Sequence, residues 1–251
     1  MARASRFTMP GLSKIIAGNL MLKLYIGNKN YSSWSMRPWV LLRQLSIPFQ
    51  EVMVPFGDMQ PGSPFKQTMT ALTPTANVPL LVDDALAVWD SLAITEYVAE
   101  LAARQKPSVA VWPVDAAARA RARSICAEFH SGFGALRSHC GMNIEAHLPD
   151  QGQIALRDHP QVGKDLARIC AMWSELLQQH GGPMLFGAFS AADAFFAPVC
   201  MRINTYALPV PPSVAAYVSR ITELASVQAW IADALAERDF VVPDEPYRAR
   251  R

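Results

Sequence analysis

Strand and helix patterns alternate between Met21 and Ala103, and beyond Ala103 no strand pattern appears. That change of regime restricts the chain to an α/β unit followed by an all-helical one. Leu22-Lys23-Leu24-Tyr25-Ile26 alternates as a half-buried strand does, and the polar loop 27–33 leads to a helix over 35–45. A strand over 49–54 and a short helix over 65–72 follow, the latter stopped by Thr73-Pro74. Segments 78–82 and 86–89 flank Asp83-Asp84-Ala85 as a hairpin, and a helix occupies 91–103. The predicted order is β-α-β-α-β-β-α.

The remainder reads as a linker over 104–114 and a helical domain over 115–241. Asp115 caps a long helix running to Cys140, and a second helix over 161–180 is stopped by Gly181-Gly182-Pro183. Ser190 opens a third, and 213–225 and 227–237 supply two more. Residues 1–20, with three basic residues and no acid, read as a disordered extension to a first domain over 21–103, and residues 242–251 as a frayed tail.

Composition narrows the function classes. A net charge of +2 gives no field suited to nucleic acid or an anionic membrane. No apolar run approaches the roughly 20 residues that span a bilayer, so the expectation is a soluble, cytoplasmic protein. Cys126, Cys140, Cys170 and Cys200 lack metal-type spacing, as do His130, His139 and His147, so no metal is expected and the thiols read as reduced.

Four features bear on chemistry. Val78-Pro79 stands where a loop enters a strand; it is either an ordinary trans edge proline or a cis bond that presents the Val78 N–H and C=O to an extended peptide ligand. Asp90-Ser91 at a strand-to-helix junction suits an N-cap, or equally a receptor for the carboxylate and ammonium of an amino acid. In Tyr31-Ser32-Ser33-Trp34-Ser35-Met36-Arg37-Pro38-Trp39, placing Pro38 in the first helical turn puts the cap near Ser35 and Ser32 and Ser33 on its approach. A thiolate there is stabilised by hydroxyl and helix dipole, whereas no His or Asp in the motif activates a serine for hydrolysis. Ser190 and Asp193 have capping-box spacing, a structural role.

Taken together over 21–240, these features resemble the glutathione S-transferase family, in a bacterial, serine-type branch related to the zeta and theta classes. The resemblance implies a thioredoxin-like N-terminal domain, an all-helical C-terminal domain, glutathione as co-substrate and a homodimer. It implies that Asn77, Val78 and a cis Pro79 meet the glutathione backbone, that Asp90 and Ser91 hold its γ-glutamyl end, and that Ser33, with Ser32 close behind, contacts the sulfur. Ser35 is then the cap, and Tyr25 an alternative thiol contact. Phe129, Phe133, Arg137 and Met142 either line the acceptor pocket or pack the core.

Three departures stand out: no cysteine precedes Cys126, Ala76 replaces a usual glycine, and Asn77 a usual Lys or Gln. The implied activity is conjugation of glutathione to a small hydrophobic electrophile. The alternatives are a non-catalytic binding or regulatory protein, similar to the stringent starvation proteins, and a zeta-type isomerase. Against the isomerase, that class's S-S-C cysteine corresponds to Trp34 here.

Overall fold

A computed structural model describes residues 21–251, so the expected extension over 1–20 lies outside the described residues. The sheet-bearing part runs β1 (Leu22–Ile26), α1 (Ser33–Gln44), β2 (Phe49–Met53), α2 (Pro64–Leu72), β3 (Leu80–Asp83), β4 (Leu86–Val88) and α3 (Ser91–Gln105). Strand order is β2-β1-β3-β4, with β1 parallel to β2 and the other pairs antiparallel. The alternation in β1 buries Leu22, Leu24 and Ile26 towards α1 and α3, while Tyr25 turns to Phe65 and Met69 of α2 on the other face. The predicted element order is the observed one.

α1 starts earlier than its proline suggests. The N-cap is Ser32, whose Oγ accepts the Ser35 N–H at 3.4 Å, and the Met36 N–H reaches the Ser32 carbonyl at 3.1 Å. Ser35 is therefore not the cap, and Pro38 falls in the second turn, where the helix forgoes the bond to the Trp34 carbonyl. The Ser35 hydroxyl instead accepts the Gly27 N–H at 3.2 Å, tying the helix start to the end of β1.

The helical part comprises α4 (Ala116–Ser131), α5 (Gly134–His139), α6 (Pro149–Asp158), α7 (Pro160–His180), α8 (Ala191–Tyr206), α9 (Pro212–Thr222) and α10 (Ala225–Glu237). The single helix expected from Asp115 to Cys140 is two helices, because Phe133 takes a left-handed conformation at φ 57°. α6 is absent from the sequence reading. Its glycine is explained by packing, since a Cβ on Gly152 would stand 2.0 Å from the Tyr206 carbonyl oxygen. α3 also extends two residues past its predicted end.

One hydrophobic cluster joins both parts, from Leu24 of β1 through Trp39 of α1 to Phe195 of α8 and Trp230 of α10. α8 is held by the expected capping box: the Ser190 N–H meets Asp193 at 2.8 Å, and Asp193 also accepts the Leu185 N–H and the Tyr217 hydroxyl. The tail is not frayed. A 3-10 turn over Val242–Asp244 leads to buried Glu245, and the Tyr247 hydroxyl bonds the His139 carbonyl at 2.8 Å. Among the described residues, no helix is long and apolar enough to cross a membrane, and no group of three His, Cys, Asp or Glu could hold a metal ion.

Candidate active site

The loop from β1 to α1 is fixed residue by residue before it reaches the serines. Asn28 accepts the Phe56 N–H at 2.8 Å through its side chain and the Ser32 N–H at 2.8 Å through its carbonyl. Lys29, 2% exposed, places Nζ 2.9 Å from Glu51 and 2.6 Å from Asp233, above the rings of Trp39 and Trp230. Asn30 bonds Asn143 at 3.0 Å and takes the Glu145 N–H at 2.8 Å. Tyr31 donates its hydroxyl to Glu245 at 2.7 Å.

This scaffold presents Ser32 and Ser33 at the positive end of α1, on the wall of a cleft of about 700 Å³. Their hydroxyls differ. Ser32 donates to the Ser35 Oγ at 2.7 Å, so its hydrogen is already used inside the cap. The Ser33 Oγ accepts from Nη2 of Arg202 at 3.1 Å, which leaves its own hydrogen for another acceptor.

Arg202 of α8 is 4% exposed, and Nη1 donates to the Cys140 carbonyl, a contact shorter than an ordinary hydrogen bond, and to the Arg137 carbonyl at 3.4 Å. Burial pushes the Arg202 guanidinium down to about 10. Arg37, 1% exposed, lies 4.1 Å above the Trp34 ring and is pushed down to about 9 by burial, and further by Arg137 and Arg202. Arg137 approaches the same indole at 5.3 Å. Three guanidinium groups thus surround the start of α1 and favour an anion there.

The opposite wall carries Asn77, Val78 and Pro79, with Val78-Pro79 cis. Val78 precedes the β1–β3 ladder, whose pairing begins at Tyr25 and Leu80. Lys66 of α2 donates to the Ala76 carbonyl at 3.1 Å and the Asn77 side chain at 3.3 Å, and Ala76 takes a left-handed φ of 50°.

Asp90 is on the cleft and caps α3 by accepting the Leu92 N–H at 3.0 Å, while its second oxygen meets Nε2 of His130 at 2.9 Å. Ser91 is not on the cleft surface; it is fully buried, and Arg37 donates to it at 3.4 Å.

The four acceptor-pocket candidates divide. Arg137 and Met142 line the cleft, whereas Phe129 and Phe133 are buried and pack on each other, with Phe129 also on Phe196. Phe133 is itself the left-handed residue between α4 and α5. Tyr25 packs with Phe65 and Leu80 rather than on the cleft. The four cysteines are buried, and burial raises each thiol, Cys140 to about 11, which suits none of them to nucleophilic work.

Arg202, Lys66 and Asp244 line the cleft without having been singled out in the sequence. Only Arg202 carries a signal, as the lone charge in α8 after Asp193. A second depression of about 650 Å³ between α1, β2 and α10 contains none of the candidates.

Residues 31–101 match the family model described as the glutathione S-transferase N-terminal domain. Over 213 residues the chain is 28% identical to a probable maleylacetoacetate isomerase of Caenorhabditis elegans, spanning 83% of this chain and 91% of that protein. A glutathione transferase homolog from Burkholderia gl BGR1, solved with bound glutathione, is 25% identical with a TM-score of 0.62 over 86% of this chain and 98% of that one. Ure2p in complex with S-hexylglutathione shares the fold at a TM-score of 0.67 and 15% identity, over 85% of this chain and 100% of that one.

Proposed function

We propose that this chain, whose residues 31–101 match the glutathione S-transferase N-terminal domain, is a member of that family, and that its cleft binds glutathione and activates the thiol for transfer to a small electrophile. The observation that carries the reading is the state of Ser33. Its Oγ lies at the cleft wall with a lone pair engaged by Arg202 and its hydrogen available, the arrangement a hydroxyl needs to donate to a sulfur anion.

The remaining groups divide the work by charge. The N-terminus of α1 and the three guanidinium groups stabilise negative charge near Ser33, which lowers the thiol from its ordinary value of about 8.5 towards neutrality. The Val78 main chain, outside the sheet ladder, pairs with the cysteinyl backbone. Asp90 receives the γ-glutamyl ammonium, and Ser91 supports it from behind through Arg37. Lys66, beside Asn77, is a cation for the glycyl carboxylate.

The sulfur then attacks the electrophilic carbon of an acceptor held near Trp34, Arg137 and Met142. The thiol proton leaves to solvent and the displaced group departs with the bonding electrons.

Calorimetry with glutathione tests the binding half of this reading, and absence of heat at millimolar ligand overturns it. Ultraviolet titration of the bound thiolate tests the activation half: Ser33→Ala is expected to raise its midpoint. A second reading is favoured by the isomerase relative, namely reversible addition of the same thiolate to a conjugated carbon. Glutathione is consumed in transfer and returned in isomerisation, so its stoichiometry over many turnovers separates the two. Binding without either turnover marks a regulatory protein.

A further inference from the structure

Ser33 has a neighbour whose placement goes beyond screening. Arg202 is buried on α8, with one guanidinium nitrogen on the carbonyls of Arg137 and Cys140 at the end of α5 and the other on the Ser33 hydroxyl. The planar fork is thereby held on both arms, so that turning away from Ser33 breaks these bonds.

We infer that Arg202 is a positioning residue for thiol activation, acting through Ser33; this rests on the reading that glutathione sulfur occupies the cleft at α1. A guanidinium is a donor only, so its N–H occupies a lone pair of the Ser33 Oγ and cannot accept the hydroxyl hydrogen. The Ser33 hydrogen is thereby denied its nearest strong partner and turns into the cleft. The positive charge behind Oγ also polarises the O–H bond, which strengthens donation to an anion. Ser32 lacks this arrangement because its hydrogen is committed to Ser35.

Other charges face the same space. Arg137 from α5 repels Arg202, while Tyr206 on α8 and Cys140 beside it stay neutral because burial raises both. On the cleft, Lys66 and Arg137 add positive charge, with buried Arg37 behind the wall, and Asp90 and Asp244 oppose it. Arg202 differs from the other cations in touching Ser33.

The experiment is the pH titration of thiolate absorbance of glutathione bound to the full chain, with affinity measured alongside. Arg202→Met is expected to raise the midpoint by about one unit, so that at pH values well below both midpoints the thiolate fraction falls about tenfold. Arg202→Lys keeps the charge but loses the fork, and is expected to fall between Arg202→Met and the unaltered protein. It also serves as the informative variant where Arg202→Met does not fold. In the Ser33→Ala background, Arg202→Met is expected to add little, since its route to the sulfur is gone.

Two results overturn the inference with glutathione still bound: an Arg202→Lys midpoint equal to that of the unaltered protein, or fully additive shifts in the double variant. Failure of the unaltered protein to bind glutathione overturns the functional reading, and this inference with it.

Discussion

The Tyr31 hydroxyl donates to the Glu245 carboxylate across 2.7 Å, joining the loop that carries the serines to the last turn of the chain. Asn143 adds a bond to the same carboxylate at 2.9 Å, and Arg248 pairs with it. Burial raises Glu245, but the bonds from Arg248, Tyr31 and Asn143 outweigh it, so its value lies below the ordinary 4.5. A depressed carboxylate contributes stability that is present above its unfolded value and lost as pH falls through the folded one. The tail is therefore expected to release on acidification below the ordinary glutamate range, seen as loss of amide protection over 241–248 relative to the intrinsic exchange rate. Glu245→Ala is expected to release it at neutral pH, at a cost of about 1–3 kcal/mol. Unchanged exchange in that variant would show that the anchor lies elsewhere.

Ser32 and Ser33 should separate by measurement. Ser32→Ala removes the α1 cap and is expected to lower stability by about 1 kcal/mol, with the smaller effect on bound thiolate. Ser33→Ala leaves the buried Arg202 Nη2 without its acceptor, at a cost of about 1–3 kcal/mol, and is expected to have the larger effect on the thiolate midpoint, moving it upward. Paired thermal melts and thiolate titrations of the two variants check the assignment, and the opposite pattern would transfer the thiol contact to Ser32.

Asp193 accepts the Leu185 and Ser190 N–H groups and the Tyr217 hydroxyl with no exposed surface, and burial pushes it up to about 6. Asp193→Ala is expected to cost about 2–4 kcal/mol, because the cap is lost and buried donors are left without an acceptor. A raised carboxylate favours the protonated folded state, so its contribution declines as pH rises from about 4 to 6. Chemical denaturation of both proteins at pH 4 and pH 7 should show the larger difference at pH 4.

Ala76 holds φ at 50°, a conformation that costs an L-residue more than glycine. Ala76→Gly is expected to stabilise the protein by roughly 0.5–1 kcal/mol after glycine's greater unfolded-state entropy is taken into account. Equilibrium urea unfolding measures the change, and a loss of stability would show that the Ala76 methyl contributes packing that outweighs its backbone conformation.

How far the sequence was legible depended on the range of the interaction. β1, the β3–β4 hairpin, the Asp115 cap and the Ser190-Asp193 box are set by neighbours within a few residues and match the expectation, whereas at Asp90-Ser91 the sequence leaves cap and receptor open and the structure has Asp90 capping α3. α1 starts before the position its proline predicts because the Ser32 cap sets it, with Pro38 tolerated in the second turn. α6 and the break at Phe133 lack a capping side chain, and their other local signals, Pro149 at the first helical position and Gly132 closing α4, are weaker than a cap. The tail looked free because its acceptor for Tyr31 stands 214 positions away.

The same limit applied to the site. Val78, Pro79, Asp90, Ser32 and Ser33 meet on one cleft, but spacing could not say that Ser91 and Phe129 lie behind its wall. Nor could it place Arg202, 169 positions from Ser33, at the hydroxyl.

Asn28, Lys29 and Asn30 are pinned to the β2–α2 connection, to α10 and to the segment after α5. On the proposed function, an incoming tripeptide would meet a loop that is already set, with little conformational freedom left there to be frozen on arrival. Association should behave as capture by a rigid seat, with one kinetic phase and no slow tightening step in rapid-mixing fluorescence from Trp34.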